Sequence, residues 1–145
     1  MKAKTAIAKS LIILLVLCVL SCREEYVLPV KGANGKVLKH SGSGYVTGLN
    51  VIGSKVLFAV ELSQSGTYKI QLVYSTISTQ NATVSLYVND LKIGDQLALP
   101  KTSDGSDWQI IERTITLQKG INYLTIQRDA SDNGLINLDY IQLKK

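Results

Sequence analysis

Residues Lys55–Tyr74, KVLFAVELSQSGTYKIQLVY, carry the clearest indication of the fold class of this chain. Apolar residues occupy every second position in Lys55–Leu62, and a second alternating set occupies Thr67–Tyr74. A period of two is typical of a β-strand that buries one face. Ser65-Gly66 lies between the two runs and is typical of a turn. The stretch therefore predicts two strands joined as a hairpin-like pair.

The remainder of the chain continues this pattern of short strands separated by polar turns. The further predicted strands are Gly44–Leu49, Ala82–Val88, Leu91–Leu99, Trp108–Leu117, Ile121–Gln127 and Leu135–Leu143. About eight strands at this spacing predict an all-β sandwich in a single domain. Two polar loops, Lys101–Asp107 and Asp129–Gly134, are the longest, and binding residues usually lie on loops of this kind.

The first residues are typical of a processing signal. Three lysines precede the apolar run Leu11–Leu20, which is shorter than the about 20 residues that a membrane-spanning helix needs. Val19-Leu20-Ser21-Cys22 resembles the lipobox of bacterial lipoproteins. We therefore expect residues 1–21 to be removed, Cys22 to be acylated, residues 22–31 to form a tether or first strand, and residues 32–145 to form the sandwich.

The charge pattern bears on location and partners. Removing the three lysines of residues 1–21 lowers the formal charge from +5 to +2, and the remaining cations are scattered, so we expect no nucleic-acid partner. The acidic pair in Arg23-Glu24-Glu25 resembles the export signal of surface-exposed lipoproteins in some Gram-negative bacteria; a solvated charged tether is the alternative. These features predict a lipid-anchored protein of the cell envelope, in the outer membrane.

Most catalytic chemistries are excluded by composition. His40 is the only histidine, which removes Ser-His-Asp and Cys-His catalysis and multi-histidine zinc sites. Paired carboxylates, as in glycosidases, remain possible. The candidates Asp104, Asp107, Asp129 and Asp132 all lie in turn-rich segments, where aspartate caps its own backbone. We therefore predict that the protein is not an enzyme and has no catalytic cofactor.

Six segments, taken in order, resemble the carbohydrate-binding modules of families 6 and 35. They are Ser41–Gly48, Gly53–Phe58, Gly66–Ile70, Ala82–Asn89, Trp108–Asn122 and Ile136–Ile141, and the likeness extends over Gly32–Leu143. The resemblance implies a jelly-roll sandwich that binds a glycan at the loops of one end. Aromatic side chains would contact the apolar face of a sugar ring, and polar side chains would bind its hydroxyls.

The resemblance also implies particular site residues. Tyr45 matches the tyrosine of a Gly-Tyr-Val motif, and Asn137 matches an asparagine of the closing strand. The family often has two tryptophans three residues apart; Trp108 takes the second place, and Gly105 occupies the first. The complete set of sugar-binding candidates, with three polar residues from the two long loops added, is Tyr45, Trp108, Asn137, Asp104, Asp107 and Asn133.

A structural calcium ion is the one cofactor that the resemblance implies. In the family, acidic residues near the N-terminus join an aspartate of the last strand, so Asp139 and Glu25 are the expected ligands.

Three functions remain open. The first is a lipoprotein that binds polysaccharide for glycan-degrading enzymes or a transporter. The second is a sandwich that has lost sugar binding and docks a protein or supports the envelope. The third is a minimal carbohydrate-active enzyme.

Overall fold

The computed structural model describes residues 44–145 and, for the backbone alone, residues 25–29. These residues form nine strands and no helix. The strands are β1 (Glu25–Pro29), β2 (Lys55–Leu62), β3 (Gly66–Thr76), β4 (Ala82–Val88), β5 (Leu91–Lys92), β6 (Leu97–Leu99), β7 (Gln109–Leu117), β8 (Gly120–Gln127) and β9 (Ile136–Lys144). The predicted all-β class is confirmed.

The strands make two antiparallel sheets that enclose one core. The first sheet has the order β1-β9-β3-β7, and the second has the order β2-β8-β4-β5, with β6 also paired to β4. The predicted core faces are confirmed: Phe58, Val60 and Leu62 of β2 are buried, as are the alternate residues of β3 from Tyr68 to Tyr74. The resulting two-layer sandwich buries both apolar faces against each other.

The hairpin predicted from Lys55–Tyr74 is wrong. β2 pairs with β8, whereas β3 pairs with β7 and β9, so the turn at Ser65-Gly66 carries the chain from one sheet to the other. The physical reason is that a period of two identifies the buried face of a strand but not its partner. Two strands that face each other across the core show the same alternation as two neighbours in one sheet.

Two predicted strand boundaries also need correction. Gly44–Leu49 is not a strand, and its pairing is limited to a bridge between Val46 and Leu138. Leu91–Leu99 divides into β5 and β6 because Gly94 has a φ of 63°, which turns the chain. The guanidinium of Arg113 lies against this glycine, where a Cβ atom would be 2.8 Å from its Nη2.

No described residue belongs to a helix that is long and apolar enough to cross a membrane. The predicted signal segment and Cys22, the predicted site of acylation, lie outside the described residues.

Candidate functional site

One end of the first sheet brings together three of the predicted site residues. β3 ends there, while β7 and β9 begin there, and Ser75 of β3 is paired with Asn137 of β9. Trp108 directly precedes β7. The bridge between Val46 and Leu138 holds Tyr45 beside the same strand. Tyr45, Trp108 and Asn137 therefore share one end of the sandwich, and we call this end the site end.

The two aromatic rings of the site end touch each other. The ring centroids of Tyr45 and Trp108 are 5.2 Å apart and the ring planes meet at 67°, an edge-to-face contact. Both residues are half-buried. A sugar held between two rings would need about 7–8 Å between them, since each contact takes about 3.5–4 Å. In this conformation the pair forms one composite aromatic surface rather than a slot.

Asn137 is held by a short chain of hydrogen bonds. Its Nδ2 donates to Oγ of Ser75 at 3.1 Å, and that hydroxyl donates to the carbonyl oxygen of Gly105 at 2.9 Å. The chain fixes the amide group and ties the loop before β7 to the sheet. Asn137 is only 6% exposed, so a ligand at the surface could reach a small part of the amide. No sequence motif around Ser75 indicates that this residue links Asn137 to Gly105.

Asp104 and Asp107 cap turns of their own loop. Oδ1 of Asp104 accepts hydrogen bonds from the amide and the hydroxyl of Ser106, at 2.7 and 2.5 Å. Oδ2 of Asp107 accepts two from Ser103, each at 3.0 Å. Hydrogen bonds from Ser106 lower the pKa of Asp104, and those from Ser103 and Gln109 lower the pKa of Asp107. Asp104 is exposed and Asp107 is half-exposed. Each carboxylate also stabilises the conformation of the loop through these hydrogen bonds.

Asn133 lies against the second sheet rather than beside Asn137. Its amide donates to Oγ1 of Thr83 at 3.0 Å, and its carbonyl oxygen accepts from the amide of Thr83 at 3.1 Å. These bonds fix Asn133 at the beginning of β4, whereas Leu135, two residues further on, is hydrogen-bonded to Ile77 and Ser78.

The two expected calcium ligands are not brought together. The pairing of β1 with β9 places Glu25 opposite Lys144, five residues along β9 from Asp139. Five residues of strand separate the backbone positions of the two residues by about 17 Å. Asp139 is buried. Within the described part of the chain, no three His, Cys, Asp or Glu side chains form a cluster that could hold a metal ion. The structural calcium ion itself stays a prediction.

The other pair of carboxylates packs its loop onto β4. Oδ2 of Asp132 accepts from the hydroxyl of Ser85 at 2.9 Å and from the amide of Asp129 at 2.7 Å. Asp129 in turn accepts from Lys92 and from the hydroxyl of Tyr87, at 2.7 and 2.8 Å. Such a network is typical of a loop that is fastened to a sheet. It gives no support to a catalytic pair.

A groove adjoins the site end. It has a volume of about 440 Å³ and is lined by residues 76–79, after β3, and residues 101–104, before β7. Ile77 lies on its wall and is 58% exposed. No sequence pattern indicates an exposed side chain at this position, because an isoleucine next to a strand is usually a core residue.

Comparisons with known proteins agree with this architecture. A 1,6-α-glucosyltransferase of Sporosarcina globispora is 34% identical over 107 residues, which cover 72% of this chain and 8% of that enzyme. An isomaltosyltransferase of the same species is 32% identical over 104 residues, or 72% of this chain and 9% of that enzyme. The chain thus spans less than a tenth of the length of either relative.

A solved family 35 carbohydrate-binding module of Cellvibrio japonicus has the same fold. It superimposes with a TM-score of 0.73 at 22% identity, covering 83% of this chain and 92% of that module. This likeness confirms the jelly-roll sandwich. Residues 31–145 match the profile of the family 6 carbohydrate-binding modules. By this match over most of its length, the chain belongs to carbohydrate-binding module family 6.

Proposed function

We propose that this protein binds a polysaccharide non-covalently through the composite surface of Tyr45 and Trp108, with Asn137 beside it. The observation that carries the proposal is the contact of the two rings at the site end, next to an amide fixed by Ser75. The apolar face of a sugar ring packs on aromatic carbon, and its hydroxyls need polar partners.

The site is expected to be weak for a single sugar. Stacking on an aromatic ring contributes about 0.5–1.5 kcal/mol beyond the burial of area, and a neutral hydrogen bond contributes about 1 kcal/mol. Few such contacts are available, so the dissociation constant should lie at about 10⁻⁴ to 10⁻³ M. Binding of this strength suits a protein that holds a long polymer through repeated contacts.

The relatives suggest which polymer to test first. Both enzymes of Sporosarcina globispora are named for the transfer of α-1,6-linked glucosyl or isomaltosyl units. An α-1,6-glucan is therefore our first candidate ligand, and isomalto-oligosaccharides are the first probes.

Calorimetric titration of three variants tests the proposal. Tyr45→Ala, Trp108→Ala and Asn137→Ala should each weaken binding of the best oligosaccharide about tenfold, the loss expected for one contact of about 1.4 kcal/mol. Tyr123→Ala, which removes a 47% exposed ring from the outer face of the second sheet, should bind like the wild type. Wild-type affinity in all three site variants, each shown to be folded, would place the site elsewhere.

We also propose that the module is held at the outer membrane by an acylated Cys22, where it retains glycan for degrading enzymes or a transporter. The lipobox-like Val19-Leu20-Ser21-Cys22 supports this. Mass spectrometry of the membrane-extracted protein should show a lipidated N-terminal cysteine. Cys22→Ala should release a folded, soluble domain; a mature N-terminus at another residue would contradict the proposal.

One observation favours the alternative of a protein-binding sandwich. The outer face of the second sheet exposes three large apolar side chains, Leu57, Ile121 and Tyr123. A glycan array on the purified domain distinguishes the alternatives, because a module that has lost sugar binding would retain no glycan.

A further inference from the structure

The exposed side chain of Ile77 stands between the site end and the neighbouring groove. Ile77 follows Thr76, the buried last residue of β3, and is 58% exposed. Its amide pairs with the carbonyl oxygen of Leu135 at 3.4 Å, which places the residue beside the beginning of β9. A large apolar side chain that is this exposed, next to a binding surface, is a candidate contact for a ligand.

Gly105 links Ile77 to the site already described. A Cβ atom built on Gly105 would lie 3.1 Å from Cγ2 of Ile77 and 3.7 Å from Nδ2 of Asn137. The side chain of Ile77 therefore occupies the space into which any side chain at position 105 would project. Gly105 contributes no side chain of its own, so the apolar surface at this point is that of Ile77.

The groove beyond Ile77 is lined mainly by polar residue types and has a fixed floor. Oγ1 of Thr102 donates to the carbonyl oxygen of Thr76 at 2.8 Å, and the amide of Thr102 donates to Oγ1 of Thr76 at 3.1 Å. Both threonines are buried, so the two walls are joined at their base. Because the walls are already ordered, a ligand would lose little free energy in arranging them.

The groove also has the size and chemistry for a sugar residue. Its volume of about 440 Å³ falls within the range of small-molecule sites. Lys101 and Asp104 lie on one wall, with Thr79 opposite, so the groove offers a cation, a carboxylate and a hydroxyl beside one apolar face. A pyranose has the complementary pattern, with an apolar face of C–H groups and a rim of hydroxyls.

We propose that this groove is a second sugar subsite, in which Ile77 packs against the residue adjoining the sugar that Tyr45 and Trp108 contact. The inference rests on the proposed function. The module then contacts at least two consecutive sugar residues of a polysaccharide, and it binds oligosaccharides more tightly than single sugars.

The test is calorimetric titration of the mature protein with glucose and isomaltose, and with xylose and xylobiose as a second series. The wild type should bind the disaccharide of its preferred series about tenfold more tightly than the monosaccharide, as expected for one additional apolar contact. Ile77→Ser should abolish this preference and leave monosaccharide affinity unchanged. Ile121→Ser, at a 61% exposed position on the beginning of β8, is the matched control and should retain the preference.

The outcomes separate the subsite from the proposed function. Equal wild-type affinity for the two lengths, or an equal loss of both ligands in Ile77→Ser, overturns the second subsite while the aromatic site stands. If Tyr45→Ala binds like the wild type while Ile77→Ser loses all binding, the aromatic site is wrong and the groove is the main site. A wild-type protein that binds neither series overturns both.

Discussion

At the scale of single residues, Gly134 fixes the loop that runs behind the groove. Its φ is +82°, and a Cβ atom there would lie 2.6 Å from Cβ of Ala82 and 2.9 Å from Oγ of Ser78. The next residue, Leu135, donates its amide to the same Ser78 hydroxyl at 2.7 Å. Both the backbone conformation and the close approach require glycine, so this position controls where Ser78 and its neighbour Ile77 lie.

Gly134→Ala should therefore lower the free energy of unfolding by about 3 kcal/mol or more, since a left-handed conformation and a steric clash are combined. Gly53→Ala is the matched control. Gly53 has a φ of +86°, but a Cβ atom there would meet nothing within 4 Å. Gly53→Ala should therefore lower the free energy of unfolding by about 1–2 kcal/mol, which is the contribution of the backbone conformation alone. Urea unfolding measures both values, and equal losses would contradict the steric argument.

The residues of the core and of the site differed in how well the sequence predicted them. The buried residues of β2 and β3 follow from their period of two. Tyr45, Trp108 and Asn137 came from the resemblance, and the fold gathers them at one end. Ile77 and Ser75 were missed, because their roles depend on Gly105, which is distant in sequence and meets them only in the folded chain.

At the scale of elements, the loop after β8 is fastened to the second sheet by charge. Burial opposes ionisation of Asp129, but hydrogen bonds from Lys92, Gln127, Tyr87 and Ser85 outweigh it and hold the pKa of this carboxyl well below its usual range. Lys92 lies 2.7 Å from the carboxylate. A charged hydrogen-bond acceptor thus links the loop to β4 and β5.

The depressed pKa of Asp129 makes stability depend on pH. Its contribution is present above the ordinary carboxyl pKa of about 4 and is lost as the pH falls toward the lower folded value. Asp129→Asn should lower the free energy of unfolding at pH 7 by about 2 kcal/mol, as for loss of a charged hydrogen bond, and should make the decline between pH 5 and 2 shallower.

Asp95→Asn, which alters an exposed carboxylate in the turn after β5, is the control for this measurement. It should leave the stability at pH 7 unchanged. Urea unfolding at several pH values gives the stability and its dependence on pH. A slope in Asp129→Asn equal to that of the wild type would show that the carboxylate does not stabilise the fold.

The boundaries of the strands were predicted better than the pairing of the strands within the sheets. Most strand segments were correct within two residues at either end, whereas the hairpin of β2 and β3 was wrong. Local alternation and turn residues determine where a strand begins and ends. The pairing of β2 with β8 depends on residues that are 58 to 72 positions away, so no local pattern reveals it.

At the scale of the whole molecule, the last strand lies inside a sheet and the first lies at its edge. β9 pairs with β1 on one side and β3 on the other, and Leu138, Ile141 and Leu143 are buried. β1 pairs with β9 alone. The two ends of the described chain therefore make unequal contributions to the sandwich.

Deletion of residues 136–145 should abolish cooperative unfolding, because it removes an interior strand and part of the core. Deletion of residues 25–29 should leave a folded domain of lower stability, since an edge strand is lost and the ladder of β9 with β3 remains. Circular dichroism during thermal unfolding of both truncated proteins tests this. A cooperative transition without β9, or none without β1, would contradict the assignment.

The antiparallel pairing of β1 with β9 also gives the module a direction. β9 begins at the site end and runs seven residues from Asn137 to Lys144, about 23 Å, before it reaches the partner of Glu25. Glu25 and Lys145 therefore lie at the same pole of the described domain, opposite the aromatic rings. A surface or neighbouring domain attached at that pole would lie on the side of the module opposite the proposed binding end. The binding end would then face away from the attachment.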